Sequence, residues 1–236
     1  MPNNFYLNKL YPLQDQVLHL VRKIPSKFYL TGGTVVSRFI TNHRFSDDLD
    51  FFLNMDNDFL PEANKIKTEL IAIYGDGVEV TYNSDTFYRL LITADETVLK
   101  IDFVNDVGFH AGVFWENELY HKLDNPINIL SNKICALQRN AGKDISDLLF
   151  LSFLYPFNWM QIVKDAQNKD TWVNEIDVMA RIADFDIEDL KSVKWIKEPD
   201  YLFLKKCLQT IAKDILLGAD NSLYGLVYEK RAFDTN

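Results

Sequence analysis

FYLTGGTVVSRFITNHRFSDDLDFF, residues 28–52, is the stretch on which the reading of this chain turns. An apolar run, FYL (28–30), meets Gly32-Gly33, and TVVSRFI (34–40) then has the spacing of a short helix. DLDFFLN (48–54) alternates instead, and alternation marks a strand whose side chains point to opposite faces. Leu49, Phe51 and Leu53 take one face; Asp48, Asp50 and Phe52 take the other. Two strand rises put the acids about 6.6 Å apart along the backbone, so both carboxylates can converge on one cation or a metal pair. The competing reading is a solvated outer face, and Phe52 on that face weighs against it. Two ionised acids side by side repel, which a cation or a raised pKa must relieve.

A third acid has the same setting. In VLKIDFV (98–104), Leu99, Ile101 and Phe103 share one face, and Lys100, Asp102 and Val104 the other. Asp102 is either a surface acid on a half-exposed strand or the third member of an oxygen-donor set. Asp48, Asp50 and Asp102 together are hard ligands suited to Mg²⁺ or Mn²⁺. Gly32-Gly33 lies between a strand and a helix. Read for chemistry, it exposes backbone N–H groups where a phosphate would bind, with the Thr34 hydroxyl beside them. Read blandly, it is a turn. No G-K-[ST] follows and no G-x-G-x-x-G is present. A glycine turn, a same-face acid pair and an acid on a later strand together describe metal-assisted phosphoryl chemistry on a nucleotide.

The rest of the chain divides in two. Apolar spacing predicts helices over 8–24 and 60–75, the latter stopped at Gly75. Strands are expected at 78–83, 86–94 and 97–104, with Asp95-Glu96 as a hairpin turn between the last two. Beyond about residue 125 only helical patterns appear, with Gly142 as a stop after the first of them. The expected organisation is an α/β core over 1–125 and a helical domain over 126–236. On the helix that begins at Pro126, Lys133 lies about 40° from Leu137, at the edge of the apolar face. It either snorkels to solvent or reaches into a site. Asp144 is a candidate helix cap, and Lys143 and Asp147 are candidate surface charges.

Composition limits the possibilities further. The formal net charge of −9 disfavours broad, sequence-independent binding to nucleic acid, and no DNA partner is expected. No apolar run reaches the ~18 residues of a membrane span. The N-terminal residues lack a basic region followed by an apolar one, so a cytoplasmic location is expected. Cys135 and Cys207 sit among helix-patterned apolar residues and are expected as buried free thiols. The four histidines have no zinc spacing.

LTGGT (30–34), HRFSDDLDFF (43–52), LKIDF (99–103) and NKICALQRNAGKDISDL (132–148) together resemble the AbiEii/AbiGii toxin family, within the DNA polymerase β-like nucleotidyltransferase superfamily. Val35-Val36 stands where that family usually has Ala-Leu, apolar in both cases. The resemblance covers roughly residues 28–150. It implies an α+β fold, with a polymerase β-like core of mixed twisted sheet and flanking helices, followed by an all-helical half that completes the nucleotide cleft. It also implies transfer of a nucleoside monophosphate from an NTP to a hydroxyl, on RNA such as tRNA or on protein, by a toxin paired with a cognate antitoxin. Asp48, Asp50 and Asp102 would bind Mg²⁺ or Mn²⁺. Gly32, Gly33 and Thr34 would hold phosphate, with Arg44 and Ser46 at the nucleotide or orienting its loop. Lys133, Lys143 and Asp144 would join the catalytic set. Two other readings of the same residues are a nucleotidyltransferase acting on a small cationic molecule such as an antibiotic, which the acidic balance would suit, and a non-catalytic binding protein of the same fold.

Overall fold

A computed structural model describes residues 2–226. Among these residues the chain forms two compact units, each built from two stretches. Of the described residues, the first unit comprises 2–35 and 46–125, and the second comprises 36–45 and 126–226. One division between the two units falls at 125/126. Residues 36–45 belong to the second unit, although the sequence reading kept them in the first. Their side chains explain the difference: His43 and Arg44 find their partner at Asp147, a hundred residues on.

The first unit holds a five-stranded sheet: β1 (Tyr29–Thr31), β2 (Leu49–Asn54), β3 (Val78–Asn83), β4 (Phe87–Ala94) and β5 (Thr97–Asp106). The order is β1-β2-β5-β4-β3. β2 and β5 run parallel, and the other neighbours are antiparallel, so the sheet is mixed. Asp95 and Glu96 turn the β4–β5 hairpin with φ of 45° and 65°, as a two-residue turn that follows the strand twist requires. The helical residues are α1 (Pro2–Phe5), a π-helical turn over Tyr6–Leu10, α2 (Tyr11–Lys23), α3 (Gly32–Thr34) and α4 (Phe59–Tyr74). α3 runs on as a π-helix over Val35–Thr41, in which the chain leaves the first unit.

Alternation sorts the sheet as expected. Leu49, Phe51, Leu53, Leu99, Ile101 and Phe103 are buried on one face. Phe51 stacks on Phe103 at 5.5 Å, and Phe28 links Phe103 to Phe59 of α4. Each such ring contributes roughly 1.5–3 kcal/mol by leaving water. The opposite face carries the acids.

The second unit is helical: α5 (Pro126–Cys135), α6 (Gly142–Leu154), α7 (Trp159–Gln167), α8 (Glu175–Ala183) and α9 (Tyr201–Leu217), with short 3₁₀ segments at Ala136–Arg139 and Ile187–Ser192. Asn158, Asn174 and Asp200 cap α7, α8 and α9 through their side chains. α6 is the central element, buried from Asp144 to Phe153. Two local expectations change here. Asn140, left-handed at φ 47°, closes the segment after α5, and Gly142 instead opens α6. A Cβ at Gly142 would come within 2.5 Å of the Asp189 carbonyl, so close packing selects this glycine. Ala141 occupies the cap position of α6, and Asp144 lies inside its first turn. Cys207 is buried and Cys135 half-buried, both as free thiols. Among the described residues no helix is long and apolar enough to cross a membrane.

Candidate active site

One row of residues crosses four strands. The Cα partners run Arg89–Asp102 from β4 to β5, Asp102–Asp50 from β5 to β2, and Asp50–Thr31 from β2 to β1. Residues paired across adjacent strands point to the same face, so the parallel β2–β5 pairing sets two carboxylates side by side. Arg89 forks Asp102, with Nε 2.6 Å from Oδ1 and Nη2 2.8 Å from Oδ2. Lys100, two residues before Asp102 on the same face, places Nζ 2.7 Å from Asp48 Oδ2 and 3.3 Å from Asp102 Oδ2. The repulsion expected among the acids is therefore relieved by two side chains of the protein itself. Burial pulls the Lys100 ammonium down, but the Asp48, Asp102 and Asp50 carboxylates outweigh it and hold its pKa above the ordinary lysine value.

The glycine turn is fitted to this row. Gly32 has φ +75°, and a Cβ there would run into the Asp50 carboxylate. Two separate constraints thus demand glycine at position 32. Thr34 is fully buried. Its hydroxyl lies 2.9 Å from Ser46 Oγ and hydrogen-bonds the Asp48 carbonyl. With one proton to give, Thr34 donates to the carbonyl and accepts from Ser46. Both hydroxyls are spent on the loop that carries Asp48, so Thr34 and Ser46 position that loop. The hydroxyl that the sequence reading set beside a phosphate is thus occupied within the protein.

The same loop is held from the N-terminal helices. The Gln14 amide donates to the Ser46 and Asp47 carbonyls, Tyr11 Oη accepts from the Ser46 N–H, and Tyr6 Oη donates to Asp47 Oδ1 at 2.6 Å. Gln14 is fully buried. A glutamine inside a helical pattern gave no sequence signal of this task.

A second cluster of charge lies within the second unit. Arg44 forks Asp147 at 2.8 Å through both Nε and Nη2. Lys133 Nζ is 2.7 Å from Asp144 Oδ1 and 2.6 Å from Asp147 Oδ2. His43 Nε2 lies 3.3 Å from Asp147 Oδ1 and its ring stacks on Phe150. The side chains of all five are at most 8% exposed. Burial alone would raise the Asp147 carboxyl; Arg44 and Lys133 overcome it and hold the pKa well below the usual range. Burial likewise pushes the His43 imidazole down, to about 4, against the pull of Asp147.

These positions alter several expectations. Lys133 neither snorkels to solvent nor stands open; it is locked between two carboxylates. Arg44 has its guanidinium bound to Asp147 and to the Phe45 carbonyl, in the interior, which is a loop-orienting task. Asp147, taken as a candidate surface charge, is the hub. Lys143 is exposed and lines a cavity of about 280 Å³ with Asn140, Asp189 and Ser192.

Arg89 and Lys100 are the site residues that sequence reasoning passed over. Their signal was present. A two-residue turn at 95–96 pairs Ala94 with Thr97, and counting outward pairs Arg89 with Asp102.

Asp48 and Asp50 offer the hard oxygens that Mg²⁺ or Mn²⁺ takes, and Mg²⁺ commonly uses one or two carboxylates and fills its shell with water and substrate phosphate. Asp102 accepts from Arg89 through both oxygens, which leaves each oxygen a further lone pair. Among the described residues no three His, Cys, Asp or Glu side chains converge as a metal site. The donors fit a metal shared between an acid pair and a bound substrate.

Comparison with known proteins adds to this geometry. A family model described as "Nucleotidyl transferase AbiEii toxin, Type IV TA system" matches residues 21–200. The fold is similar to the crystal structure of JHP933 from Helicobacter pylori, with a TM-score of 0.56 and 18% identity over 89% of this chain and 90% of that one. It is also similar to MenT4, a nucleotidyltransferase toxin from Mycobacterium tuberculosis H37Rv, with a TM-score of 0.55 and 15% identity over 88% and 82% of the two chains. No curated protein gives a significant match to the sequence.

Proposed function

We propose, because this chain belongs to the AbiEii family of nucleotidyl transferase toxins of type IV toxin–antitoxin systems, that it transfers a nucleoside monophosphate from an NTP to a hydroxyl on RNA or protein, and that a cognate antitoxin restrains it. The observation that carries the reading is the row Asp102–Asp50 with Asp48 beside it, set against the Gly32 turn. Asp48 and Asp50 would hold Mg²⁺ or Mn²⁺, which supplies positive charge to the triphosphate and the leaving pyrophosphate. The chain's own residues do the rest. The start of α3 offers N–H groups to phosphate oxygens. Thr34, Ser46 and Gln14 keep the Asp48 loop in register. Gly32 lets the turn close onto Asp50 without a side chain between.

Purified protein is to be incubated with each of the four labelled NTPs, Mg²⁺, and total RNA or cell lysate. Transfer of label from one or more NTPs is expected, lost by at least ~100-fold in Asp48→Ala. Equal labelling by wild type and Asp48→Ala, or none with any NTP, removes the reading.

A further inference from the structure

We infer that Tyr82 and Phe87, at the β3 end of the acid row, form a stacking platform for an unpaired nucleotide of an RNA acceptor, on the strand whose hydroxyl attacks. The inference rests on the nucleotidyltransferase reading of the site and narrows its acceptor to RNA.

The placement of Tyr82 comes from an irregularity in its strand. In an unbroken β3, Val78, Val80 and Tyr82 would share one face. Val80 takes the face of its partner Leu90, which is buried in the core. Between Val80 and Tyr82 the register shifts by one residue, and Tyr82 pairs with Arg89. Such a bulge re-aims the side chains beyond it to the other face. Arg89 is the cross-strand partner of Asp102, so the bulge extends the row to a fifth strand: Tyr82, Arg89, Asp102, Asp50, Thr31. Without it the tyrosine ring would lie on the face away from the acids.

The surface at that end has the chemistry a nucleobase uses. Tyr82 is 54% exposed, and its ring packs against Phe87 at 5.4 Å. The Arg89 guanidinium lies over the Phe87 ring at 5.0 Å. Arg89 gives Nε and Nη2 to Asp102, and a guanidinium has further N–H groups for a phosphate oxygen beside the rings. Every base has a π-face, and unpaired RNA bases stack on exposed aromatic rings. A serine or threonine acceptor brings no such face. Stacking on a few rings also needs no broad basic surface, in keeping with the net charge of −9. Direction along the row separates the acceptor from the NTP. The proposed function sets the triphosphate at the Gly32 turn, on the β1 side of Asp50. In-line displacement brings the attacking oxygen in opposite the leaving group, here from the β4–β3 side. Tyr82 stands there two strand spacings, about 10 Å, from Asp102. A terminal hydroxyl at the acids and a base at Tyr82 then fit one short stretch of single strand.

Fluorescence anisotropy of the full chain with Mg²⁺ and a short, unstructured oligoribonucleotide, labelled at its 5′ end and free at its 3′ hydroxyl, tests the platform apart from catalysis. Wild type is expected to bind it. Tyr82→Ala should weaken binding roughly 5- to 100-fold, the loss of one base–aromatic stack. Tyr82→Trp, which keeps a ring, should stay within about threefold of wild type. Val80→Ala, on the other face of the same strand, should bind as wild type does. Transfer of label from NTP to total RNA, measured alongside, should fall with binding in Tyr82→Ala. Unchanged binding or unchanged transfer in Tyr82→Ala would overturn the inference while leaving the nucleotidyltransferase reading intact. So would no binding of the oligonucleotide by wild type at any concentration, a loss in Val80→Ala matching that in Tyr82→Ala, or transfer by wild type to protein alone. No transfer by wild type from any NTP to any acceptor would overturn the inference and that reading together.

Discussion

The molecule builds two clusters from the same materials, an Arg, a Lys and Asp carboxylates, and burial makes them opposites. In the first unit the Arg89 and Lys100 side chains are 36% and 31% exposed, and Asp48 is 26% exposed. In the second unit Arg44, Lys133, Asp144 and Asp147 range from 0 to 8%. An ion pair near water contributes little and exchanges partners readily, whereas a buried one cannot lose a member without stranding a charge. The first cluster is therefore able to accept a ligand. The second is a strut that ties residues 43–44 to α5 and α6. The family resemblance weighted both as parts of one chemistry; the geometry gives the second a structural task whatever else it does.

The contrast is broken most directly at Asp147. Asp147→Ala leaves Arg44 and Lys133 buried without their shared partner and should cost about 3–5 kcal/mol in urea unfolding. A loss under 1 kcal/mol would put the second cluster in the same category as the first.

A somewhat smaller effect is expected from pH. His43 is held neutral by burial, with a folded pKa of about 4 against 6.5 for the free side chain. Between those values the unfolded chain binds the extra proton, so stability falls as pH drops from about 6.5 to 4, by an amount on the order of 3 kcal/mol. Asp147 continues the loss below the ordinary carboxylate value, since its folded pKa lies lower still. Unfolding curves at pH 7 and pH 5 should differ for wild type and converge in His43→Phe. An undiminished slope in that variant would assign the dependence to another group.

The smallest expected effect sharpens the comparison from the other side. Lys100→Met should change stability by less than about 1 kcal/mol, because its pairs are partly solvated. A loss comparable to that of Asp147→Ala would make the acid row a second strut.

How much of this was legible beforehand follows from the range of each cause. Alternation along β2 and β5 depends on neighbours two residues away, so the faces of Asp48, Asp50 and Asp102 were readable. Arg89 opposite Asp102 was readable in principle from the turn at 95–96. The parallel β2–β5 pairing that sets Asp50 beside Asp102 was not, because a parallel register is fixed by a long connection rather than a turn. Arg44 with Asp147 was hidden for the same reason. A helix-edge lysine and an Asp in a helix look alike from sequence whether they meet water or each other, and Lys133 and Asp147 meet each other. Gly142 misled because a glycine between helical patterns usually ends one. Here the Asp189 carbonyl, packed against its Cα, set the residue type instead.

The detour of residues 36–45 into the second unit also carries a timetable. Arg44 waits for Asp147, 103 residues later in the chain. At synthesis rates of roughly 5–20 residues per second, that is an interval of about 5–20 s. Throughout it the Arg44–Asp147 fork cannot form. The acid row can pair its strands once β5 has emerged, with the Asp48 loop already held by Gln14, Tyr11 and Thr34, whereas His43 and Arg44 meet Asp147 only when α6 is made. A nascent chain halted near residue 125 would thus carry the acids and their loop contacts, with His43 and Arg44 still short of Asp147.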